Sequence, residues 1–154
     1  MPDNKKILDM YTITPSILTS GSQPEETYAV LGEGIENLTE ALNEIVNQFY
    51  FMAKQGFAYN RVTGMAPVVT LTGRRIYGDA AQDYIFSKKF ALGDNRETKM
   101  KIEIDKGENT ETVTCPCTIA NMQEYSGNTT DNSAISFELR FNDKPEVSTA
   151  PTQS

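Results

Sequence analysis

The stretch formed by residues 68–86 constrains the fold most, because two structural periods meet there across a clear boundary. Apolar and β-branched side chains alternate over residues 68–77, and a period of two predicts a strand. Gly78 ends the alternation, and the residues that follow recur at spacings of three and four, which predicts one short helix over about 79–89. We therefore expect a strand that leads directly into a helix lying across the face or the end of a sheet.

The corner between that strand and the helix contains the residues of a helix start. Asp79 occupies the N-cap position, where a side-chain oxygen accepts a hydrogen bond from a backbone N–H. Gln82 follows three residues later, so the pair resembles a capping box. Lys88 and Lys89 fall in the predicted last turn, where positive charge complements the helix dipole. We interpret Gly78, Asp79 and Gln82 as a structural corner without a chemical role.

Composition excludes most catalytic chemistry. The 154 residues contain no histidine and no tryptophan, and histidine is the commonest general base and a common metal ligand. We therefore expect no enzyme activity, no catalytic residue, no cofactor and no metal site. A formal net charge of −7 argues against tight binding to nucleic acid or an anionic membrane, since both need clustered Lys and Arg.

No part of the sequence predicts membrane insertion or a second domain. No apolar run approaches the roughly 18 residues that a transmembrane helix needs. The N-terminus is charged where a signal peptide would need its apolar stretch. The chain is long enough for one domain with a core of its own and too short to argue for two.

The two cysteines are predicted to be core residues. Cys115 and Cys117 lie two apart in a predicted strand, so both thiols should point to the same face. A disulfide between them would close a strained ring, and a metal site would need further Cys or His. We expect two buried thiols in a reducing compartment.

Alternation predicts three strands in the second half of the chain. Residues 98–105 and 134–141 alternate between apolar and polar side chains, as a half-buried strand does. Residues 111–122 form a longer strand, and the turn at 106–109 joins it to the first in a hairpin. Pro116 lies inside the long strand, which indicates an edge or a bulge.

The first half of the chain is harder to interpret. Residues 27–38 predict one strand weakened by two glycines. Spacings of three and four favour a helix over 38–49, but the density of aromatic and β-branched residues favours a strand over 46–52. We predict that strand, with a turn or a single helical turn at 39–43. Residues 54–67 predict a loop of unusual length, and long ordered loops usually bind something.

These elements define one domain with extensions at both ends. Residues 24–147 are predicted to form a single β domain, with an N-terminal arm over 1–23 and a flexible C-terminal tail over 148–154. The arm and the long loop have too little apolar surface to fold onto their own domain, so we expect them to become ordered only between subunits. About six strands and one helix predict a mainly β fold, an antiparallel sandwich or open barrel with one flanking helix.

Several segments, in order, carry a resemblance to a known family: LGEGIENLTEALNE, GFAYNRVTG, TLTGRRIYGDAAQDYI, LGDNRETKMKIEI and SFELRFNDKPEV. Over about residues 28–147 the chain resembles the tail tube protein, or major tail protein, of long-tailed, non-contractile bacteriophages of Gram-positive hosts. The order and spacing of several weak motifs carry this resemblance. Many relatives have a glycine at the place that Asp143 holds here.

The resemblance implies a structural virion protein. In that family six copies form a ring, and rings stack into a tube that surrounds the tape measure protein and later conducts double-stranded DNA into the host without binding it tightly. Tail terminator and tail-tip proteins are further expected partners, no membrane is involved, and assembly takes place in the host bacterial cytoplasm. The arm, the tail and the long loop are then expected to reach adjacent subunits or adjacent rings. The candidates in the loop are Gly56, Phe57, Tyr59, Arg61 and Gly64.

The uneven distribution of acidic and basic residues along the chain indicates which residues would line such a tube. No Lys or Arg occurs between Lys6 and Lys54, although six glutamates do. A wall that repels phosphate would let DNA pass quickly, so we expect an electronegative bore. The candidates for its lining are Glu33, Glu36, Glu40, Glu44 and, in reserve, Glu138.

Two alternatives remain open. One is the inner tube protein of a contractile tail or a secretion-like injection system, which shares the fold and the ring symmetry. The other is a β-sandwich binding or decoration module. A sugar-binding site favours exposed aromatic residues, whereas Phe49, Phe51, Phe137 and Phe141 lie in strand patterns that predict core positions.

Overall fold

A computed structural model of the chain describes residues 5–22 and 25–151. Within them it contains ten strands and one α-helix. The strands are β1 (Ile13–Ser22), β2 (Glu25–Val30), β3 (Ile35–Ala41), β4 (Glu44–Tyr50), β5 (Ala58–Met65), β6 (Val68–Arg74), β7 (Glu97–Asp105), β8 (Asn109–Gln123), β9 (Ala134–Phe141) and β10 (Glu146–Pro151), and the helix is α1 (Ala80–Ser87).

Eight of these strands form one antiparallel sheet. Its order is β2-β1-β7-β8-β9-β6-β3, and β10 pairs with β8 beside this path. The strands β4 and β5 pair only with each other and form a separate two-stranded sheet. The chain therefore builds one large sheet and one independent hairpin.

The large sheet curls around a single core. Alternate residues of its strands point inward and meet in one apolar cluster, which includes Ile17 on β1, Met100 on β7, Ile119 on β8 and Leu71 on β6. Strands at opposite ends of a flat sheet could not share one cluster, so the sheet is an open barrel whose end strands β2 and β3 do not pair with each other. The predicted mainly β fold with one flanking helix is confirmed, and so are β7, β8 and β9.

The helix covers the core from one side. Ala81, Ile85 and Phe86 are buried, and the Phe86 ring meets the edge of the Phe137 ring at a centroid distance of 6.1 Å. Strand β6 ends at Arg74 rather than at Tyr77 as predicted, because the backbone N–H of Ile76 donates to a helix side chain instead of to a neighbouring strand.

The thiols lie where the sequence places them. Cys115 and Cys117 are free, fully buried and part of the apolar cluster. Burial raises the pKa of the Cys117 thiol to about 12. The prediction of two buried thiols is confirmed.

The chain ends differ from expectation. Residues 13–22 are not part of an arm outside the domain but form β1, which pairs with both β2 and β7 and buries Ile17 completely. Residues 148–151 of the predicted flexible tail belong to β10, because β8 is longer than β9 and leaves backbone groups for β10 to pair with. Of the predicted arm and tail, residues 1–4, 23 and 152–154 lie outside the described residues.

Three further predictions in the first half need correction. The single strand over 27–38 is two strands, because Gly34 has a φ of +77° and turns the chain between β2 and β3. The strand predicted over 46–52 is confirmed as β4, but the turn before it is confined to residues 42–43, where Asn43 has a φ of +50°. The long loop over 54–67 is mostly the strand β5.

Pro116 lies where β8 changes partners. On one side of β8, Thr114 pairs with Glu146 of β10 and Cys117 pairs with Phe141 of β9, so Pro116 falls between the two partner strands. A residue without a backbone N–H is tolerated at such a gap. No described helix is long and apolar enough to cross a membrane.

Candidate assembly interface

The hairpin of β4 and β5, here residues 44–65, has almost no buried surface. Every residue of both strands is exposed apart from Gly64, which is half-buried. One face presents three aromatic rings: Phe49 and Phe51 are 5.9 Å apart between centroids, and Phe51 and Tyr59 are 6.0 Å apart. Phe49 and Phe51 were predicted to be core residues. That prediction is wrong, because the hairpin packs against no second layer.

The opposite face of the hairpin also carries apolar side chains, on either side of the polar pair Gln48 and Asn60. Val46 and Val62 are directly opposite each other, and Tyr50 lies further along the same face. The tip adds Met52 and Phe57, which are 100% and 76% exposed. A two-stranded hairpin is marginally stable in water by itself, and contiguous exposed apolar surface marks an interaction site. The aromatic face and the tip therefore have the exposed apolar surface that is typical of interaction sites.

The structure brings the five loop candidates together in this hairpin. Gly56 turns the tip with a φ of +90°, and Phe57 follows it. Tyr59 and Arg61 lie on the aromatic face, opposite Phe49 and Asn47. Gly64 lies at the base beside a register shift, close to the Ile45 side chain. Sequence reasoning located these residues but missed their strand, whose alternation was hidden by small and polar side chains.

The five bore candidates do not share one face. Glu40 lies opposite Val69, a buried residue, and so projects on the inner side of the edge strand β3. Glu138 lies opposite Thr70, on the outer side of the sheet. Glu33 is in the turn after β2, Glu36 is on β3, and Glu44 begins β4.

Two of the five are already paired with cations. An oxygen of Glu36 lies 3.8 Å from Arg74 Nε, and one of Glu138 lies 2.7 Å from Arg140 Nη2. Within the described residues, Glu33, Glu40 and Glu44 have no ion-pair partner. Those three carboxylates are exposed to solvent.

The structure agrees with the predicted corner at Gly78 and Asp79 but not at Gln82. Gly78 has a φ of +89°, and the Asp79 carboxylate accepts a hydrogen bond from the Gln82 N–H at 3.1 Å, as an N-cap does. The Gln82 side chain is fully buried and does not complete a capping box. Its amide oxygen accepts from the Ile76 N–H at 2.8 Å, and its amide nitrogen donates to the Glu33 carbonyl at 2.8 Å. Gln82 therefore joins the helix to β6 and to the turn after β2.

A charge network that sequence reasoning missed fixes the helix to the sheet. Arg75 Nε donates to Glu124 at 2.8 Å, and Lys89 Nζ donates to the other oxygen of Glu124, also at 2.8 Å. Arg75 also pairs with Asp83 at 3.0 Å. Burial opposes ionisation of Glu124, but the hydrogen bonds from Lys89 and Arg75 outweigh it and hold the pKa of this carboxyl below its ordinary value. These residues are far apart in the chain, so no local motif could have indicated the network.

Among the described residues there is no group of three or more Cys, Asp or Glu side chains able to hold a metal ion. The notable feature of the surface is a projecting apolar hairpin on a curled antiparallel sheet, which is an arrangement for association.

Comparisons with known proteins identify the same fold. No protein-family model matches the chain, and neither does any curated protein. A chain in the tail of an empty gene transfer agent particle, solved with helical refinement and C6 symmetry, is similar with a TM-score of 0.67 at 13% identity, covering 92% of this chain and 99% of that one. A chain in the virion of a native gene transfer agent particle is similar with a TM-score of 0.63 at 8% identity and the same coverage. The chain therefore has a phage tail tube-like fold.

Proposed function

We propose that this chain is a structural, non-enzymatic protein of a phage-like tail, which assembles with copies of itself into the tail tube. The observation that carries the proposal is the hairpin, whose strands are exposed apart from Gly64 and present aromatic or aliphatic side chains on both faces. A monomer that stayed alone would keep this surface in water at a large cost. The tail tube-like fold supplies the context in which copies would cover it.

We propose further that six copies form each ring and that rings stack. The edge strands β2 and β3 support this, because each has one side without a strand partner among the described residues. Unpaired edges invite pairing with another chain, and a repeated contact between different surfaces closes into a ring when its rotation permits. The C6 symmetry of the similar gene transfer agent tail is consistent with six subunits.

The remaining partners follow from the proposed tube. It would enclose the tape measure protein, conduct double-stranded DNA without binding it tightly, and meet terminator and tip proteins at its ends. Assembly in the host bacterial cytoplasm and residence in the virion belong to the same proposal. The sequence resemblance favours a long-tailed, non-contractile phage of a Gram-positive host as the source.

Electron microscopy of the purified protein tests this function. We expect rings or stacked tubes at high protein concentration. Monodisperse monomers under all conditions, with the hairpin still exposed, would contradict it. A copurifying sheath protein would instead indicate a contractile tail.

Of the bore candidates, Glu40 and Glu44 are the best supported, because both are exposed and lack a cation partner among the described residues. We expect tubes that carry Glu40→Lys and Glu44→Lys together to retain double-stranded DNA at low ionic strength, where screening is weakest. The matched control is Glu146→Lys on β10. Equal retention by the two kinds of tube would remove these glutamates from the DNA path.

A further inference from the structure

The tip of the hairpin, residues 51–57, has a distinctive composition. Phe51, Met52 and Phe57 are all exposed, Met52 completely. Lys54 is the only charged residue of the tip and has no ion-pair partner among the described residues. The tip is therefore an apolar knob with a single positive charge.

A cleft of about 630 Å³ lies between β2 and the start of α1. Most of its lining residues are small, among them Ala29, Val30 and Ala80, and Tyr28 is its one aromatic residue. The cleft therefore has room for large side chains of another molecule. Two carboxylates line it, Glu33 and Asp79. Neither has an ion-pair partner among the described residues, although Asp79 caps the helix.

Other clefts of the described surface fit the tip less well. One of about 690 Å³ contains Arg74 and Arg75, and another of about 670 Å³ contains Lys6 and Lys106. The first would repel Lys54 with two arginines, and its carboxylate, Glu36, already has a cation partner. The second places two lysines beside its carboxylates, whereas no Lys or Arg lines the β2–α1 cleft. A smaller cleft of about 350 Å³ is lined by large side chains, among them Met10 and Tyr11.

We propose that the hairpin tip of one copy binds the β2–α1 cleft of a neighbouring copy, with Lys54 beside Glu33. The tip would fill the cleft with Phe51, Met52 and Phe57, and the two charges would fix its orientation. The occupant comes from another copy because the chain's own tip remains exposed and leaves its own cleft open. This inference rests on the proposed self-assembly and names the receptor surface for the hairpin.

Cross-linking between two single variants tests the contact. Met52→Cys and Val30→Cys, mixed under mild oxidation, should give a covalent dimer that contains one copy of each, while the native thiols stay buried. The control replaces Val30→Cys with Phe90→Cys, at a still more accessible site outside the cleft. Dimer yields no higher with Val30→Cys than with Phe90→Cys would overturn the proposal.

Charge reversal tests the ion pair independently. Lys54→Glu and Glu33→Lys should each raise the critical concentration for tube assembly about two- to fivefold, the effect of one exposed ion pair. The double variant should restore it, since the pair is re-formed with its charges exchanged. If Lys54→Glu impairs assembly and the double variant does so equally, the tip binds elsewhere. That result would leave the proposed tube intact, whereas failure of the unmodified protein to assemble would refute the tube itself.

Discussion

Phe137 on β9 and Phe49 on β4 lie in strands of similar length and alternation, yet the two side chains differ in burial. Phe137 is fully buried, whereas Phe49 is 41% exposed. Strand β9 has neighbours on both sides and a helix packed over it. Strand β4 has one neighbour, β5, and no layer above or below. The difference lies in what surrounds the strand, and it divides the molecule into a barrel with a core of its own and a hairpin without one.

The boundary between these two regions is short. Only Ala66 and Pro67 separate β5 from β6, and the residues change there from mostly exposed to mostly buried or half-buried. Asn43 marks the other boundary, where its side-chain nitrogen donates to the Ala66 carbonyl at 2.9 Å. The two ends of the hairpin are thus joined at its base, so it projects from the barrel as a unit.

The largest effect should come from matched truncations in the two regions. Phe137→Ala should lower the free energy of unfolding by about 3–5 kcal/mol, because it leaves a cavity in the core. Phe49→Ala should change it by less than about 0.5 kcal/mol, because an exposed residue loses little on truncation. Denaturant titration of the monomer measures both.

The effect of Phe49→Ala should appear in tube assembly and not in monomer stability. We expect Phe49→Ala to impair tube formation although its monomer is as stable as the unmodified protein. A Phe49→Ala monomer destabilised as much as Phe137→Ala would mean that the hairpin folds back onto the barrel. Normal tubes from Phe49→Ala would mean that this face of the hairpin is not an assembly surface.

The same division explains what could be predicted from the sequence. Alternation identified β7, β8 and β9, since each has one buried and one polar face, and the Asp79 cap followed from local chemistry. Alternation could not distinguish a strand that packs on the core from a strand with two exposed faces. Phe49 was therefore predicted to be a core residue. The hairpin strand β5 escaped detection because its register is set by β4, not by a buried face.

Contacts between segments that are far apart in the chain could not be predicted from the sequence either. Local spacing assigned Gln82 to a capping box, but its side chain instead joins backbone groups of Glu33 and Ile76. Strand β1 was assigned to an arm because its apolar run is short, and only its pairing with β2 and β7 reveals it as a core strand. Hydrogen bonds between segments far apart in the chain leave no periodic signature.

A smaller effect is expected where the helix is fixed to the barrel. Glu124→Gln should cost about 1–3 kcal/mol at neutral pH, because it weakens two charge-assisted hydrogen bonds. The control is Glu103→Gln on β7, which has no ion-pair partner among the described residues and should change stability by less than about 0.5 kcal/mol.

The pH dependence of that difference isolates the carboxylate of Glu124. Its pKa is lowered in the folded state, so its ionisation stabilises the fold above the unfolded value of about 4.3. This stabilisation is lost as the pH falls through the folded pKa. The gap between the unmodified protein and Glu124→Gln should therefore narrow below about pH 4.3. A gap that stays constant down to strongly acidic pH would show that Glu124 acts through packing alone.

The smallest effect concerns Asp79, the N-cap residue of α1. Asp79→Ala removes the acceptor of the Gln82 N–H and should lower the free energy of unfolding by about 0.5–2 kcal/mol. Asp79→Asn keeps a side-chain oxygen in place and should cost less, so the pair separates capping from charge. Because Asp79 also lines the β2–α1 cleft, the two variants sharpen the division between barrel and hairpin: unfolding of the monomer measures the cap, and assembly of Asp79→Asn measures the charge toward the tip of a neighbouring copy. If Asp79→Ala unfolds at the same denaturant concentration as the unmodified protein, the hydrogen bond to Gln82 contributes nothing to the fold, and the corner must be maintained by the buried Gln82 side chain alone.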